Sequence, residues 1–303
     1  MSLSQVVSKF EFWRAHPAAM VEDLFGVKPD KWQREVLEAF PHKQRIAMKA
    51  SKGVGKSTVE AWLAWNFLLT RPNPKIAVTS ITGANLADGL WSECAKWMQM
   101  SPILRDNFTW TKTRVFLNEA PETWWMSARP WSKTADKQEQ GNTLAGLHAD
   151  YIMFILDESG DIPEAVAMAA EAALSSGIEG KIIQAGNPTS LSGMLYKSCV
   201  RDRKLWHIVE INSDPSDPNR SNRVSLEWSQ TQIDLYGRDN PFVKVAVLGQ
   251  FPDAAFNSLI GIVKRFQYPN SSISTSLRYC LKFLYVMKSS WKMAYLSACG
   301  SRM

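Results

Sequence analysis

The sequence predicts an α/β fold, a mostly parallel sheet flanked by helices. Three observations carry that reading. Strand-like and helix-like segments alternate from Arg45 onward, a glycine-bearing loop joins the first strand to a helix, and Ile152–Leu156 is an unbroken apolar run. A run of that kind is the composition of a central parallel strand buried on both faces. Residues 1–42 read as helical, a small N-terminal arm or lid ahead of an α/β domain at 43–260. Arg45–Ala50 reads as the first strand, and Lys56–Leu69 as a helix with Ala61, Leu63, Ala64, Phe67 and Leu68 forming its apolar stripe. Lys75–Thr79 follows as a strand and Ala84–Met100 as a helix. A β-rich excursion comes next, with Arg114–Leu117 and Thr123–Met126 as strands. Beyond the Ile152–Leu156 strand the pattern predicts a helix over Pro163–Ser175, strands at Lys181–Ala185 and Leu205–Ile211, and a turn-rich loop at Asp214–Asn219. Helices near Ser225–Tyr236 and Pro241–Leu248 close the domain.

The chemistry concentrates in two places. Lys49-Ala50-Ser51-Lys52-Gly53-Val54-Gly55-Lys56-Ser57-Thr58 sits between strand and helix, the context a phosphate-binding loop requires. Gly53 and Gly55 let the backbone curl so that successive N–H groups face phosphate oxygens, and the helix N-terminus adds its partial positive charge. Lys56 is expected to reach the β- and γ-phosphates, and the Ser57 hydroxyl to ligate Mg²⁺. The binding set is therefore Ser51, Lys52, Gly53, Val54, Gly55, Lys56, Ser57 and Thr58. The loop departs from the consensus in one respect: Ala50 stands where the first glycine is usual. The second place is Asp157-Glu158, at the C-terminal end of the apolar strand. Asp157 is expected to hold the metal, and Glu158, a carboxylate able to accept a proton, to activate water. The same pair could instead cap the next helix. On the following strand, Asn187 in Gly186-Asn187-Pro188 can sense a γ-phosphate, or the Asn-Pro can make a turn.

Taken together with Trp32-Gln33, Leu156-Asp157-Glu158, Asn142-Thr143-Leu144-Ala145-Gly146-Leu147-His148 and Val247-Leu248-Gly249-Gln250-Phe251-Pro252, these motifs resemble the ATPase domain of the large terminase subunit of tailed bacteriophages. The resemblance covers roughly residues 20–260, and Lys52 matches a basic residue common within terminase loops. It implies a P-loop NTPase fold of the ASCE, RecA-like type, with ATP and Mg²⁺ as cofactors. Gln33 would read the adenine edge, and Asn187 would belong to the motif that couples hydrolysis to movement. Arg129 is the candidate arginine finger, in cis or towards a neighbouring subunit. The implied work is translocation of double-stranded DNA into a procapsid, in the cytoplasm of the bacterial host. The implied partners are the portal protein, the small terminase subunit and further copies in a ring. Another DNA translocase of the same branch, such as a helicase, and an inactive prophage remnant are the alternatives.

Composition bounds the rest. Four cysteines (Cys94, Cys199, Cys280, Cys299) show no C-x-x-C spacing, and four scattered histidines form no metal set, which fits a reducing compartment without structural zinc. No stretch reaches the 18 or so apolar residues of a membrane span, so a soluble intracellular protein with no membrane partner is expected. The thirteen tryptophans are expected to pack the core rather than stack on bases, Trp124, Trp125 and Trp131 included. From Lys264 to Met303 there are seven basic and no acidic side chains. Removing those seven from 35 Lys and Arg leaves residues 1–263 with 28 against 29 Asp and Glu, a formal charge of −1. The overall +6 therefore belongs to the tail. Residues 261–303 read as an atypical basic tail, disordered or out of frame. A two-metal nuclease site needs clustered carboxylates, so no nuclease is expected of it.

Overall fold

A computed structural model describes residues 2–130, 144, 147–174 and 177–253. Its frame is an eight-stranded sheet in the order β3-β4-β5-β2-β6-β7-β1-β8. The strands are β1 (Arg45–Ala50), β2 (Lys75–Thr79), β3 (Phe108–Trp110), β4 (Arg114–Leu117), β5 (Trp125–Ala128), β6 (Tyr151–Leu156), β7 (Glu179–Gly186) and β8 (His207–Ile211). The six strands from β5 to β8 along the sheet run parallel. The β-rich excursion forms the antiparallel edge β3-β4-β5. The apolar composition of β6 follows from its place: Ile152 to Leu156 are all fully buried between two neighbouring strands and two layers of helix. The order also puts β7 between the phosphate-loop strand β1 and the Asp–Glu strand β6.

The N-terminal residues form three helices, α1 (Leu3–Ala15), α2 (Pro17–Phe25) and α3 (Lys31–Ala39). Trp13, Met20, Val21, Val36 and Leu37 join the same buried cluster as Trp62, Trp65 and Phe67 of helix α4 (Lys56–Thr70). Polar contacts fix α1 as well. Asn66 donates to the Trp13 carbonyl at 2.9 Å, and Glu179 at the start of β7 receives both Arg14 (2.8 Å) and the buried Arg71 (2.7 Å). Lys181 points its ammonium at the end of α3, donating to the carbonyls of Phe40 (2.6 Å) and Lys43 (2.9 Å), the groups a helix C-terminus leaves unpaired.

The long helix expected over Ala84–Met100 is broken. α5 (Gly83–Leu86) passes through a wide turn at Ala87–Trp91 into α6 (Ser92–Met100), with Gly89 out of helical geometry (φ −92°, ψ −106°). Apolar periodicity continues through the break, so the pattern does not reveal it. Among the described residues the remaining helices are α7 (Pro102–Asn107), α8 (Glu164–Ala173), α9 (Leu226–Tyr236) and α10 (Pro241–Ala246), apart from short turns near 194–205. Most of the described tryptophans pack as expected: Trp62, Trp65 and Trp91 are buried, Trp124 donates to the Leu68 carbonyl (2.7 Å), and Trp125 carries the Arg114 guanidinium on its face, whereas Trp110 and Trp228 are exposed. Trp131, Asn142-Thr143, Ala145-Gly146 and the basic tail lie outside the described residues. Among the described residues no helix is long and apolar enough to cross a membrane.

Candidate nucleotide site

The loop after β1 is built by backbone geometry. Gly53 (φ 74°) and Gly55 (φ 90°) both occupy the left-handed region, where a side chain is strained. Ala50 does not need to be glycine: it is the last residue of β1, buried and paired with Ile211 of β8 in an extended ladder. The heel of the loop is anchored to the protein. The Ser51 N–H donates to the Ile211 carbonyl (2.8 Å) and the Lys52 N–H to the Ala246 carbonyl (3.1 Å). These two amides are thereby spent, and the curl that can face an anion begins at Gly53. The Lys52 side chain lies over the Phe242 ring, and Val54 is buried in the core. Lys56 and Ser57 open α4, whose Thr58 hydroxyl donates to Glu93 on α6 (2.8 Å).

The Asp157–Glu158 turn faces this loop at the same, C-terminal, edge of the sheet. The Asp157 N–H donates to the Thr79 carbonyl at the end of β2 (2.9 Å), and its Oδ1 accepts the Glu158 N–H (2.9 Å). Glu158 itself has φ 53°, a left-handed conformation that is costly for a residue with a Cβ and that clusters at functional sites. The break at Gly89 passes over the same carboxylate: a Cβ there would meet Asp157 Oδ2 at 3.8 Å.

Glu60, one turn into α4, is a participant that sequence reasoning missed. Its carboxyl is wholly buried; burial first, and then the charge of Asp157, push its pKa well above the ordinary carboxylate range. Asp157 is raised too, by burial and then by Glu158, with Lys56 pulling the other way. Three carboxyl groups thus crowd one lysine. The excess of negative charge and the hard oxygen donors of Ser57 and Asp157 suit a small divalent cation such as Mg²⁺. Glu60 escaped notice because an isolated glutamate in a helix ordinarily reads as its solvent face.

Asn187 is placed between the two motifs. Its side-chain amide donates to the Ala50 carbonyl at 2.7 Å, so β7 touches the root of the phosphate loop on one side. On the other side it touches the Asp–Glu turn, where the Ser159 N–H donates to the Ala185 carbonyl (2.8 Å). The approach is close enough to require glycine. A Cβ on Gly160 would lie 2.5 Å from the Asn187 carbonyl oxygen, and one on Gly186 2.8 Å from the Gly160 nitrogen.

Gln33 is fully buried on the inner face of α3, beside Trp32, Val36 and Leu37. Its Oε1 accepts the Asp30 N–H (2.9 Å) and Arg223 Nη2 (3.2 Å), whereas its Nε2 has no partner. Arg223 is the second residue missed: it follows β8 and lies over the loop, its Cδ 3.1 Å from where a Gly55 Cβ would be. Arg129 lies just past β5, at the same sheet edge as Asp157 but two strands away. Its N–H donates to the Val78 carbonyl (2.7 Å), and its guanidinium is half-buried against Ser127. Among the described residues no cluster of three or more His, Cys, Asp or Glu side chains is arranged as a metal cage.

No protein-family model matches the chain. It is similar to a probable terminase large subunit of Enterobacteria phage P7, 26% identical over 259 residues, which are 80% of this chain and 50% of that protein. The chain therefore spans about half the length of the curated relative it matches. Among solved structures it resembles the large terminase ATPase domain of Thermus phage P74-26, with a TM-score of 0.56 and 19% identity over 78% of this chain and 99% of that one. It also resembles the large terminase of bacteriophage HK97 (TM-score 0.57, 12% identity, 78% and 55% covered). A third is the large terminase of a thermophilic bacteriophage in complex with ADP (TM-score 0.54, 14% identity, 74% and 54% covered). The fold is that of a terminase ATPase domain, a P-loop NTPase, and in sequence as in fold the chain resembles phage large terminases.

Proposed function

We propose, taking this likeness to phage large terminases as the premise, that the chain is the ATP-hydrolysing motor domain of a DNA-packaging machine. It would move double-stranded DNA into a procapsid as a ring of copies on the portal protein, with the small terminase subunit as a further partner. The observation that carries the reading is Asn187, hydrogen-bonded to the root of the phosphate loop and packed against the Asp–Glu turn. A motor needs such a part: one residue that meets the loop through its side chain and the Asp–Glu turn through its backbone.

In this reading the backbone N–H groups from Gly53 onward cradle the phosphates, and Lys56 neutralises charge that develops on the γ-phosphoryl group. Ser57 and Asp157 would hold Mg²⁺, which supplies charge neutralisation on the phosphate oxygens when bound. Glu158, aimed by its left-handed backbone, orients and deprotonates the attacking water. Arg129 is the candidate arginine finger, either within its own chain or across to a neighbour. The amides of Ser51 and Lys52 are already taken by protein carbonyls, so with their backbone these two residues fix the loop.

The test is ATP hydrolysis by the purified chain with and without double-stranded DNA. Turnover that DNA stimulates, and that Lys56→Ala and Glu158→Gln both abolish, is the expected result. Turnover that persists in both variants refutes the assignment of the site.

A further inference from the structure

We propose that Lys43 and Lys204, brought together at the amino-terminal edge of the sheet, grip the phosphodiester backbone of duplex DNA without reading its sequence. The inference rests on the motor reading above and concerns where the duplex is held.

β1 and β8 are parallel neighbours, with Ile46 opposite His207. The residues that lead into them, His42–Arg45 and Arg203–Trp206, therefore meet at one end of the sheet although they lie far apart in the sequence. His42, Lys43, Arg45, Lys204 and His207 line one groove of about 220 Å³ there, and among the described residues no Asp or Glu joins them. Residues 1–263 carry a formal charge of −1, so the groove is a local concentration of positive charge on a nearly neutral body. Part of that charge is already engaged. Arg45 gives Nε (2.9 Å) and Nη2 (2.6 Å) to Glu171 on α8, and Arg203 shares Glu210 with Lys49 (3.4 and 3.3 Å). Lys43 and Lys204 are exposed, and among the described residues neither ammonium has a carboxylate partner.

Both lysines ride on turns that the fold holds in place. The Lys43 N–H donates to the Ala39 carbonyl (3.0 Å), and its own carbonyl accepts the buried Lys181 ammonium (2.9 Å). Beside it the Gln44 carbonyl accepts the Ile182 N–H (2.9 Å). Lys204 sits in a single turn closed by the Leu205 N–H on the Asp202 carbonyl (2.9 Å), and the buried Trp206 follows it into the core. A backbone fixed in advance lowers the ordering cost of binding.

The chemistry of the groove names its ligand. A lysine ammonium is a compact point charge, which neutralises phosphate and carries no base information. Unpaired bases need an aromatic face to stack on; no Phe or Tyr lines the groove and Trp206 is buried, so a single strand finds no platform. What remains is the backbone of a duplex, held whatever its sequence, as a machine that moves any DNA past itself requires. The strand that begins at this grip ends at the phosphate loop: β1 is six residues, about 20 Å at about 3.3 Å each.

The experiment is fluorescence anisotropy of a labelled, mixed-sequence duplex titrated with the full chain between about 50 and 200 mM salt. Wild type is compared with the double variant Lys43→Gln, Lys204→Gln. The control, Lys28→Gln with Lys112→Gln, removes the same charge from exposed lysines elsewhere. The groove variant is expected to bind about tenfold more weakly, with a plot of log affinity against log salt shallower by about 2. The control stays within about twofold of wild type, and Lys43→Arg with Lys204→Arg, which keeps both charges, retains the wild-type slope. Exposed substitutions of this kind leave the fold in place, which a thermal melt of each variant checks. The basic tail is common to every protein compared and drops out of the comparison. An unchanged slope in the groove variant overturns the inference and leaves an acidic protein surface as the occupant; an equal loss in the control overturns it too. Wild type that fails to bind the duplex at any of these salt concentrations is a different result: it removes the motor reading, and this inference with it.

Discussion

Gly160 offers the sharpest test of the link between the Asp–Glu turn and Asn187. Its backbone is not in the left-handed region, so alanine there carries no conformational penalty, and whatever Gly160→Ala does is steric. The added Cβ would sit 2.5 Å from the Asn187 carbonyl oxygen and 2.7 Å from Thr189 Oγ1. Ordinary contact begins near 3.4 Å, so the two segments must part by about 0.9 Å. Overpacking of this kind costs about 1–3 kcal/mol. In a domain of this size that corresponds to roughly 2–4 °C of melting temperature for each kcal/mol. The functional cost is expected to be larger, because a displacement of about 1 Å at a catalytic constellation can lower the rate about 10²-fold. The assay is steady-state ATP hydrolysis beside labelled-ADP binding and a thermal melt. Turnover falls about a hundredfold, while binding, which depends on the separate phosphate loop, stays within a few fold. Gly237→Ala is the control: its φ of 81° makes alanine strained, but nothing lies within 4 Å, so it lowers stability and leaves turnover alone. Full turnover in Gly160→Ala, with its melting temperature down, would show that the contact is structural only and would refute the coupling argument.

Other outcomes follow from single residues. Asn187→Leu removes the donor to the Ala50 carbonyl, leaves that buried oxygen unpaired at about 1–3 kcal/mol, and lowers turnover with nucleotide binding retained, read by the same two assays. The Lys181 ammonium is lowered to about 8, chiefly by burial. Between about pH 8 and its ordinary value of 10.5 the unfolded chain holds a proton that the native state has released, so this group makes stability rise with pH across that window. Denaturant titrations should show Lys181→Met losing a slope that approaches about 1.4 kcal/mol per pH unit; an unchanged slope contradicts the assignment. The Cys94 thiol is pushed far up by burial, with the Glu60 carboxyl adding to it, so peptide mapping after thiol alkylation should find Cys94 unmodified in the native protein and reactive in denaturant.

The phosphate loop and the Asp–Glu strand were legible because their chemistry is local: a few consecutive residues fix the backbone, the charge and the burial together. The bounds of β1 and β2 agree with the alternation for the same reason. Asn187 was legible in part, since a polar residue ending a strand was visible but its partner, Ala50, lies 137 residues earlier. Arg223 and Gln33 are separated by 190 residues, and no local pattern connects them. The break at Gly89 was hidden by its surroundings, because Leu86, Leu90, Trp91 and Cys94 keep a helical apolar stripe through it. Gly160 and Gly186 looked like turn residues; only the packing shows that they are spacers between two closely packed segments.

The anchored heel of the phosphate loop has a mechanical meaning. Ser51 and Lys52 hang by their amides from Ile211 and Ala246, one at the end of the edge strand β8 and one at the end of α10. Gly249 closes in behind them, with a Cβ there only 3.1 Å from the Ser51 nitrogen. A tug on the chain near residue 246 is therefore felt first as tension in the hydrogen bond to Lys52, one residue before the phosphate cradle starts. Strain in that outer segment and the curl that begins at Gly53 therefore meet on neighbouring peptides.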